Sequence, residues 1–306
     1  MCGKMQEIEN AGLRFTVFTP AYNRGCMIEK LYQSLRRQSF RNFEWVVVDD
    51  GSQDDTEQRF QRILSQENDF PVRYFKTENG GKHRAINYGL QRAGGELFFI
   101  VDSDDYLKDN ALEAADRVVK SIPPEEKGQF AGICGSCCLE DGTVIGTEPE
   151  APWQDLTSLQ RDRYGIEGDK AEIFYTELLR KYPFPTFEGE RFLTESVVWD
   201  RIAADGGMLR FFPECLKVCE YREDGLSAHI AELHLRNPRG YGLYLSQSEK
   251  LGRLKGLYKW NTFLDYYYGV REKLPFREIG EILHKNPTCL WIIFFFLRIY
   301  HKLVDQ

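Results

Sequence analysis

The sequence predicts a mixed α/β protein, with a mostly parallel sheet flanked by helices and a C-terminal helical extension. Three observations predict it. First, three N-terminal segments share one pattern, an apolar, β-rich run that stops abruptly in a polar cluster. They are "LRFTVFTPAYNR" (13–24), "FEWVVVDDGSQDDT" (43–56) and "GELFFIVDSDDYL" (95–107). Near-continuous apolar runs suit strands covered on both faces, as in parallel sheets. Second, stretches of helical period lie between them. Third, the resulting β-α-β-α-β-α-β alternation implies a doubly wound sheet, which binds ligands outside the carboxyl ends of its strands.

Each element has its own warrant. "CMIEKLYQSLRRQSF" places Ile28, Leu31, Tyr32 and Leu35 on one helical face. "DDTEQRFQRILSQEN" offers Asp54, Asp55 and Thr56 as N-caps ahead of a Phe60, Ile63, Leu64 stripe. "FPVRYFKTEN" reads as a short strand, and "GKHRAINYGLQRAGG" as a helix stopped by Gly94 and Gly95. From about residue 125 the pattern becomes irregular, with "KAEIFYTELLRKY" helix-like. From about 230 to the end the chain reads as mainly helical.

Composition narrows the class. The 306 residues are 42% hydrophobic and 28% charged, as in ordinary soluble globular proteins. A net charge of −7 gives no support for a nucleic-acid partner, which needs a basic patch. The N-terminus "MCGKMQEIENAG" is polar and lacks an apolar signal region, so a cytoplasmic location is expected. The eight cysteines are then expected to stay as reduced thiols. Cys134, Cys137, Cys138, Cys215 and Cys219 come near zinc-ligand spacing, but "FAGICGSCCLE" reads better as a buried strand packed with small thiols. The apolar stretch Cys289–Leu297 is far shorter than the ~20 residues of a spanning helix. Two readings stand for it. It is buried against the domain, or it lies in a membrane interface with Arg298, His301 and Lys302 toward lipid phosphates, peripheral on the inner face.

The polar clusters carry the chemistry. Asp102, Asp104 and Asp105 crowd negative charge at a strand end; were the strand to continue, Asp102 and Asp104 would point to one side. Aspartates beside a nucleotide diphosphate repel it unless Mn²⁺ or Mg²⁺ intervenes, and such ions are held by one or two carboxylates plus phosphate oxygens. The plainer reading is that these acids form a turn capping a helix near Asn110, for which one Asp suffices. In "TPAYNR", Pro20 bends the chain, Tyr22 can stack on a base and Arg24 can reach phosphate or ribose. Asp50 can accept a hydrogen bond from an imide N–H such as that of uracil, with Gly51 permitting the turn, although Asp49 and Asp50 also suit an Asx-turn. Gly80 and Gly81 free the backbone so that Lys82 approaches base, ribose or phosphate. The sequence has no G-x-G-x-x-G after the first strand and no G-x-x-x-x-G-K-[ST].

"FTPAYNR", "VVVDDGSQDDT", "NGGKHRAINYG" and "FIVDSDD", in that order, resemble the inverting family 2 glycosyltransferases of GT-A fold. The resemblance covers residues 13–107 well and 108–225 more loosely. It implies a nucleotide-sugar donor, usually a UDP-sugar, a divalent metal, and a saccharide or lipid-linked saccharide acceptor in polysaccharide or cell-envelope glycan synthesis. It divides the chain into a glycosyltransferase domain at 1–228 (nucleotide half about 13–107, acceptor half about 108–228) and a helical extension at 229–306. By position, Pro20, Tyr22, Arg24, Asp50 and Lys82 line the nucleotide site. Asp102-Ser103-Asp104 is the D-x-D, with Asp102 near the ribose and Asp104 the principal metal ligand. Asp105 faces donor sugar or acceptor.

An inverting transfer needs a base for the acceptor hydroxyl. Similar enzymes carry it as a carboxylate at a helix start, often within Glu-Asp. Here Thr194-Glu195 stands in that place, a departure from the pattern that makes Glu195 the candidate base, with Glu188 and Glu190 as rivals. Thr194 and Glu195 also suit plain helix capping. His229 is a candidate extra metal or diphosphate ligand, set against an ordinary surface histidine. Other readings of the chain are an inactive nucleotide- or sugar-binding module, a sugar-nucleotide pyrophosphorylase, which would need a Gly-rich basic loop after the first strand, and a two-carboxylate glycoside hydrolase.

Overall fold

The computed structural model describes residues 12–220, 225 and 229–304. Two compact units are distinguished, one made of the chain up to Pro183 together with Asp200–Glu220, the other of Phe184–Trp199 and Tyr221 onward.

The first unit follows the predicted alternation: β1 (Phe15–Ala21), α1 (Ile28–Arg36), β2 (Phe43–Asp49), α2 (Thr56–Leu64), β3 (Val72–Lys76), α3 (Lys82–Leu90) and β4 (Leu97–Ile100). Then come β5 (Tyr106–Leu107), α4 (Ala111–Lys120), β6 (Phe130–Cys138), β7 (Gln154–Leu156), β8 (Lys170–Tyr175), α5 (Thr176–Leu179), α6 (Ser196–Ala204), through which the chain re-enters the unit, and β9 (Met208–Val218). One sheet runs β3-β2-β1-β4-β8-β6-β9-β5, with β7 paired to β9. The β3, β2, β1 and β4 strands are parallel, and β8 joins β4 antiparallel. All seven residues of β1 and of β2 are buried, which is why both read as unbroken apolar runs. Beneath them lie Ile28, Leu31, Tyr32 and Leu35 of α1, with the Tyr32 ring stacked on Trp45 at 6.0 Å.

Three expectations shift. "KAEIFYTELLRKY" is half strand, because β8 needs Lys170–Tyr175 to bridge β4 and β6. Helix α3 ends at Leu90, before the glycines; Gly95 is instead a close-approach site, since a Cβ there would lie 2.3 Å from the Thr16 nitrogen. The thiols are not all reduced. Cys138 and Cys215 form a disulfide with Cα atoms 6.1 Å apart, because β6 and β9 lie side by side in a bulged register that brings residues 77 positions apart together.

In the second unit, α7 (Ile230–Arg236), α8 (Pro238–Lys250), α9 (Gly256–Val270), α10 (Phe276–Ile282) and α11 (Pro287–Val304) enclose a separate core that includes Phe263, Tyr266, Leu283 and Phe294. The segment before α6 is pinned to the start of α8. The Asn237 side chain accepts from the Arg191 and Phe192 N–H groups at 2.7 and 3.1 Å, and Glu190 accepts from those of Arg239 and Gly240 at 2.7 and 2.8 Å. A carboxylate at a helix N-terminus satisfies donors that the helix cannot pair itself.

His83, in the first turn of α3, is 2% exposed with an unpartnered Nδ1, and burial pushes its pKa down to about 4. An unfolded histidine takes up its proton near 6.5, so between those values the unfolded chain binds more protons and stability falls as the pH is lowered. The loss is on the order of 2–3 kcal/mol across that window. Urea midpoints of His83→Leu, measured from pH 7 to pH 5, are expected to fall less steeply than those of the wild type. An unchanged slope removes His83 from the account.

Candidate active site

The rim of the first unit is built from the loops after β1, β2, β3 and β4. The loop after β1 is tied to the loop after β2. Asn23, at φ 53°, donates its N–H to Ser52 Oγ at 2.8 Å and accepts from the Gln53 N–H at 2.8 Å, while the Arg24 N–H reaches Thr56 Oγ1 at 3.1 Å. Pro20 remains in β1, opposite Val48, and the strand continues through Ala21, so the proline removes one N–H donor rather than bending the chain away. Tyr22 follows with 45% of its surface exposed, which leaves ring area for a base.

The two neighbouring acids of β2 have different work. Asp49 is fully buried, accepting from the Ser52 N–H at 2.7 Å and the Tyr74 hydroxyl at 2.5 Å. That is the Asx-turn role, and burial together with the Asp49 contact pushes the Tyr74 pKa far up. Asp50 takes the Gly80 and Gly81 N–H groups at 2.7 Å each, one on each oxygen. It therefore staples the loop after β3 to the end of β2. The Asn79 amide adds a third donor, to Asp50 Oδ2 at 3.3 Å. Gly81 has φ 95° and Gly51 φ 80°, and a Cβ on Gly51 would stand 2.7 Å from the Asn79 nitrogen. Both turns require glycine.

The acid cluster lies on a turn, not on a continued strand. β4 stops at Ile100, the Val101 N–H bonds to the Phe18 carbonyl at 2.8 Å, and the Asp105 N–H bonds back to the Asp102 carbonyl at 3.0 Å. Strand alternation is thus not what groups Asp102 with Asp104. Nor do the acids cap α4, because β5 intervenes and pairs with Val218 and Lys217 of β9. Lys82 Nζ meets both oxygens of Asp102, at 2.7 and 2.8 Å. Lys217 Nζ lies 2.8 Å from Asp105 Oδ2, with Cys219 Sγ 3.7 Å from the same oxygen. Ser103 and Asp105 are buried, and Asp104 is partly so.

Electrostatics divide the three acids. Burial works against the charge of Asp102, but Lys82 and Lys217 outweigh it and hold its pKa below the usual carboxylate value. Burial likewise opposes the Lys217 ammonium, and Asp105 foremost holds its pKa well above the ordinary lysine range. Asp104 differs from Asp102: burial first, then the charges of Asp102 and Asp105, push its pKa up. Asp105 is also pushed up, by burial foremost, which its Lys217 partner only partly offsets. Asp102 alone is thus held below the usual value, and Asp104, with no lysine contact among the described residues to match those of its neighbours, lies in a field that favours an added cation. Among the described residues no three His, Cys, Asp or Glu side chains form a metal cage; of the expected ligands, Asp102 and Asp104 share this turn and His229 belongs to the second unit. Asp102 is engaged by Lys82, and the remaining donor chemistry, one acid with a second beside it, fits an ion shared with phosphate oxygens.

Lys217 was missed in the sequence, although a lysine inside the apolar run "CLKVCEY" was a signal that a buried anion awaits it. The other candidates belong to the second unit. Glu195 sits in the turn opening α6, its carbonyl accepting from the Val198 and Trp199 N–H groups at 2.9 and 3.1 Å. Glu190 is occupied in holding α8, and Glu188 is exposed. His229 is exposed at the N-terminus of α7.

A mixed sheet with its loops gathered at one rim and an acidic turn after its fourth strand is the arrangement of a GT-A glycosyltransferase fold. Residues 16–125 match the family described as glycosyl transferase family 2; the chain carries that domain and is a glycosyltransferase. An uncharacterized glycosyltransferase of Haemophilus influenzae is 25% identical over 82% of this chain and 97% of its own length. Other curated relatives match about a third to two fifths of the chain, which spans less than two fifths of their length. Among solved structures, Staphylococcus aureus TarS 1–349 in complex with UDP-GlcNAc superposes with TM-score 0.58 and 19% identity, covering 88% of this chain and 84% of that one. The mannosyltransferase PcManGT of Pyrobaculum calidifontis, in complex with GDP-Man and Mn²⁺, gives 0.55 and 22% over 88% and 72%.

The Lys217–Asp105 pair carries a stability prediction. Lys217→Met leaves a buried carboxylate without its partner and is expected to cost about 3–5 kcal/mol in urea unfolding. Adding Asp105→Asn should restore much of that loss. A Lys217→Met midpoint equal to wild type would show that the pair does not hold the turn.

Proposed function

We propose that the chain is a metal-dependent, inverting glycosyltransferase. It moves a sugar from a nucleotide-sugar donor, a UDP-sugar in our reading, to a hydroxyl of a saccharide or lipid-linked saccharide acceptor in polysaccharide or cell-envelope glycan synthesis. The observation that carries the proposal is the charge pattern of the acidic turn. Two of its acids are matched by lysines, while Asp104 has its pKa raised by burial first and then by the carboxylates beside it. The crystals of similar fold that contain UDP-GlcNAc, or GDP-Man with Mn²⁺, support a nucleotide-sugar and a divalent ion.

In this reading Asp104, with Asp102 beside it, would hold the ion, which would supply charge neutralisation for the leaving diphosphate. Tyr22 stacks on the base, Asp50 accepts from an imide N–H, and Arg24 and Lys82 meet phosphate or ribose. Buried Ser103 and Asp105 keep the turn in shape around the donor. The acceptor oxygen attacks the anomeric carbon, the bond to the diphosphate oxygen breaks, and Glu195 takes the acceptor proton. A single displacement inverts the anomeric centre.

Release of UDP from a panel of UDP-sugars, with and without Mn²⁺ and candidate acceptors, tests this. Chelation and Asp104→Asn are each expected to reduce turnover by about two orders of magnitude or more. Glu195→Gln should lower kcat by at least about a hundredfold while calorimetry still detects UDP binding. Full activity after chelation would sink the metal reading. Tight UDP binding with no release from any donor would favour a binding module instead.

A further inference from the structure

Helix α11 has two apolar faces, and the second unit's core uses one of them. Leu290, Phe294 and Leu297 are at most 8% exposed and pack with Phe263, Leu264 and Leu283. The other face repeats the period. Ile292, Phe295, Phe296, Ile299 and Leu303 stand at i, i+3, i+4, i+7 and i+11, each between 40% and 69% exposed. Trp291, 60% exposed, stacks on Phe295 with ring centroids 5.7 Å apart. A helix that is apolar all round is ordinarily enclosed, and a continuous exposed stripe of this size marks an interaction surface.

The charges say what covers it. From Ile282 to Val304 the sequence has no Asp or Glu, while Arg298 and Lys302, exposed and four residues apart, run along one flank of the stripe. Arg298 lies over the Tyr268 ring at 5.2 Å, with its long stem beside the apolar stripe. Two copies of α11 laid face to face would bring these cations together with no carboxylate on the helix to answer them. A surface of lipid phosphates over acyl chains answers both features at once, since aromatic rings settle at headgroup depth and Arg and Lys reach outward to phosphate. Among the described residues no single helix is long and apolar enough to cross a membrane; α10 and α11 reach that length and composition only as a pair, across a bend of 100°.

The geometry points to α11 as an interfacial helix that docks the protein on an anionic bilayer through the Ile292–Leu303 stripe, with Arg298 and Lys302 at the phosphates. This assignment stands apart from the proposed reaction and does not depend on it. Co-sedimentation of the full chain with vesicles of equal parts phosphatidylglycerol and phosphatidylcholine, against phosphatidylcholine alone, tests it. The wild type is expected to bind the mixed vesicles roughly tenfold or more better, and less so at high salt. Phe296→Glu with Ile299→Glu should reduce binding to both by at least about tenfold, and Arg298→Gln with Lys302→Gln should reduce it on anionic vesicles only. These side chains are exposed, and unchanged thermal melts will show that each variant is folded. A wild type that stays in the supernatant, or a double-glutamate variant that binds equally well, overturns the proposal. So does a solution dimer, seen by sedimentation equilibrium, that the double-glutamate variant breaks while vesicle binding stays absent.

Discussion

Everything at the rim depends on how the fold compensates three carboxylates placed within four residues. Left alone, Asp102, Asp104 and Asp105 would repel one another and take up protons. The fold brings in two lysines, Lys82 from the start of α3 and Lys217 from the end of β9, each within 2.8 Å of a different acid. Neither lysine is near the turn in sequence. The pairing fixes the side chains of the first and third charged residues and leaves the middle of the turn acidic. A buried pair of this kind is a weak source of stability, because desolvation cancels much of the attraction, but removing one partner is costly. Its value lies in specifying where the charge sits.

The same economy recurs at Asp50. A residue well suited to greet a nucleobase first serves the protein itself, gathering two glycine N–H groups so that the loop bearing Lys82 starts in the right place. Asp49, its neighbour, is wholly internal. Adjacent acids that look alike in the sequence thus separate into a structural one, with Tyr74 and Ser52 for partners, and one at the rim. Position decides this: β2 ends at Asp49, and Asp50 is the first residue of the loop, where it meets the loop after β3.

The cysteines illustrate a limit of compositional argument. Polar termini and an ordinary composition favoured reduced thiols, and the buried strand in "FAGICGSCC" is present as read. The strand's neighbour, however, supplies Cys215, and strand adjacency places it against Cys138. No spacing rule within one segment contains that information.

What the sequence determined by itself was everything local. Apolar runs gave β1, β2 and β4, a 3.6-residue period gave α1, and glycine at positions needing positive φ gave the turns at Gly51 and Gly81. Those features rest on interactions among residues a few places apart, and the order of the four rim motifs followed from them. Tertiary structure decided the partners: Lys217 for Asp105, Glu190 for the start of α8, Cys215 for Cys138, strand rather than helix for Lys170–Tyr175. It also decided which half of α11 is enclosed, since both of its faces carry the same apolar period. Which one meets the core is settled by what else folds beside it.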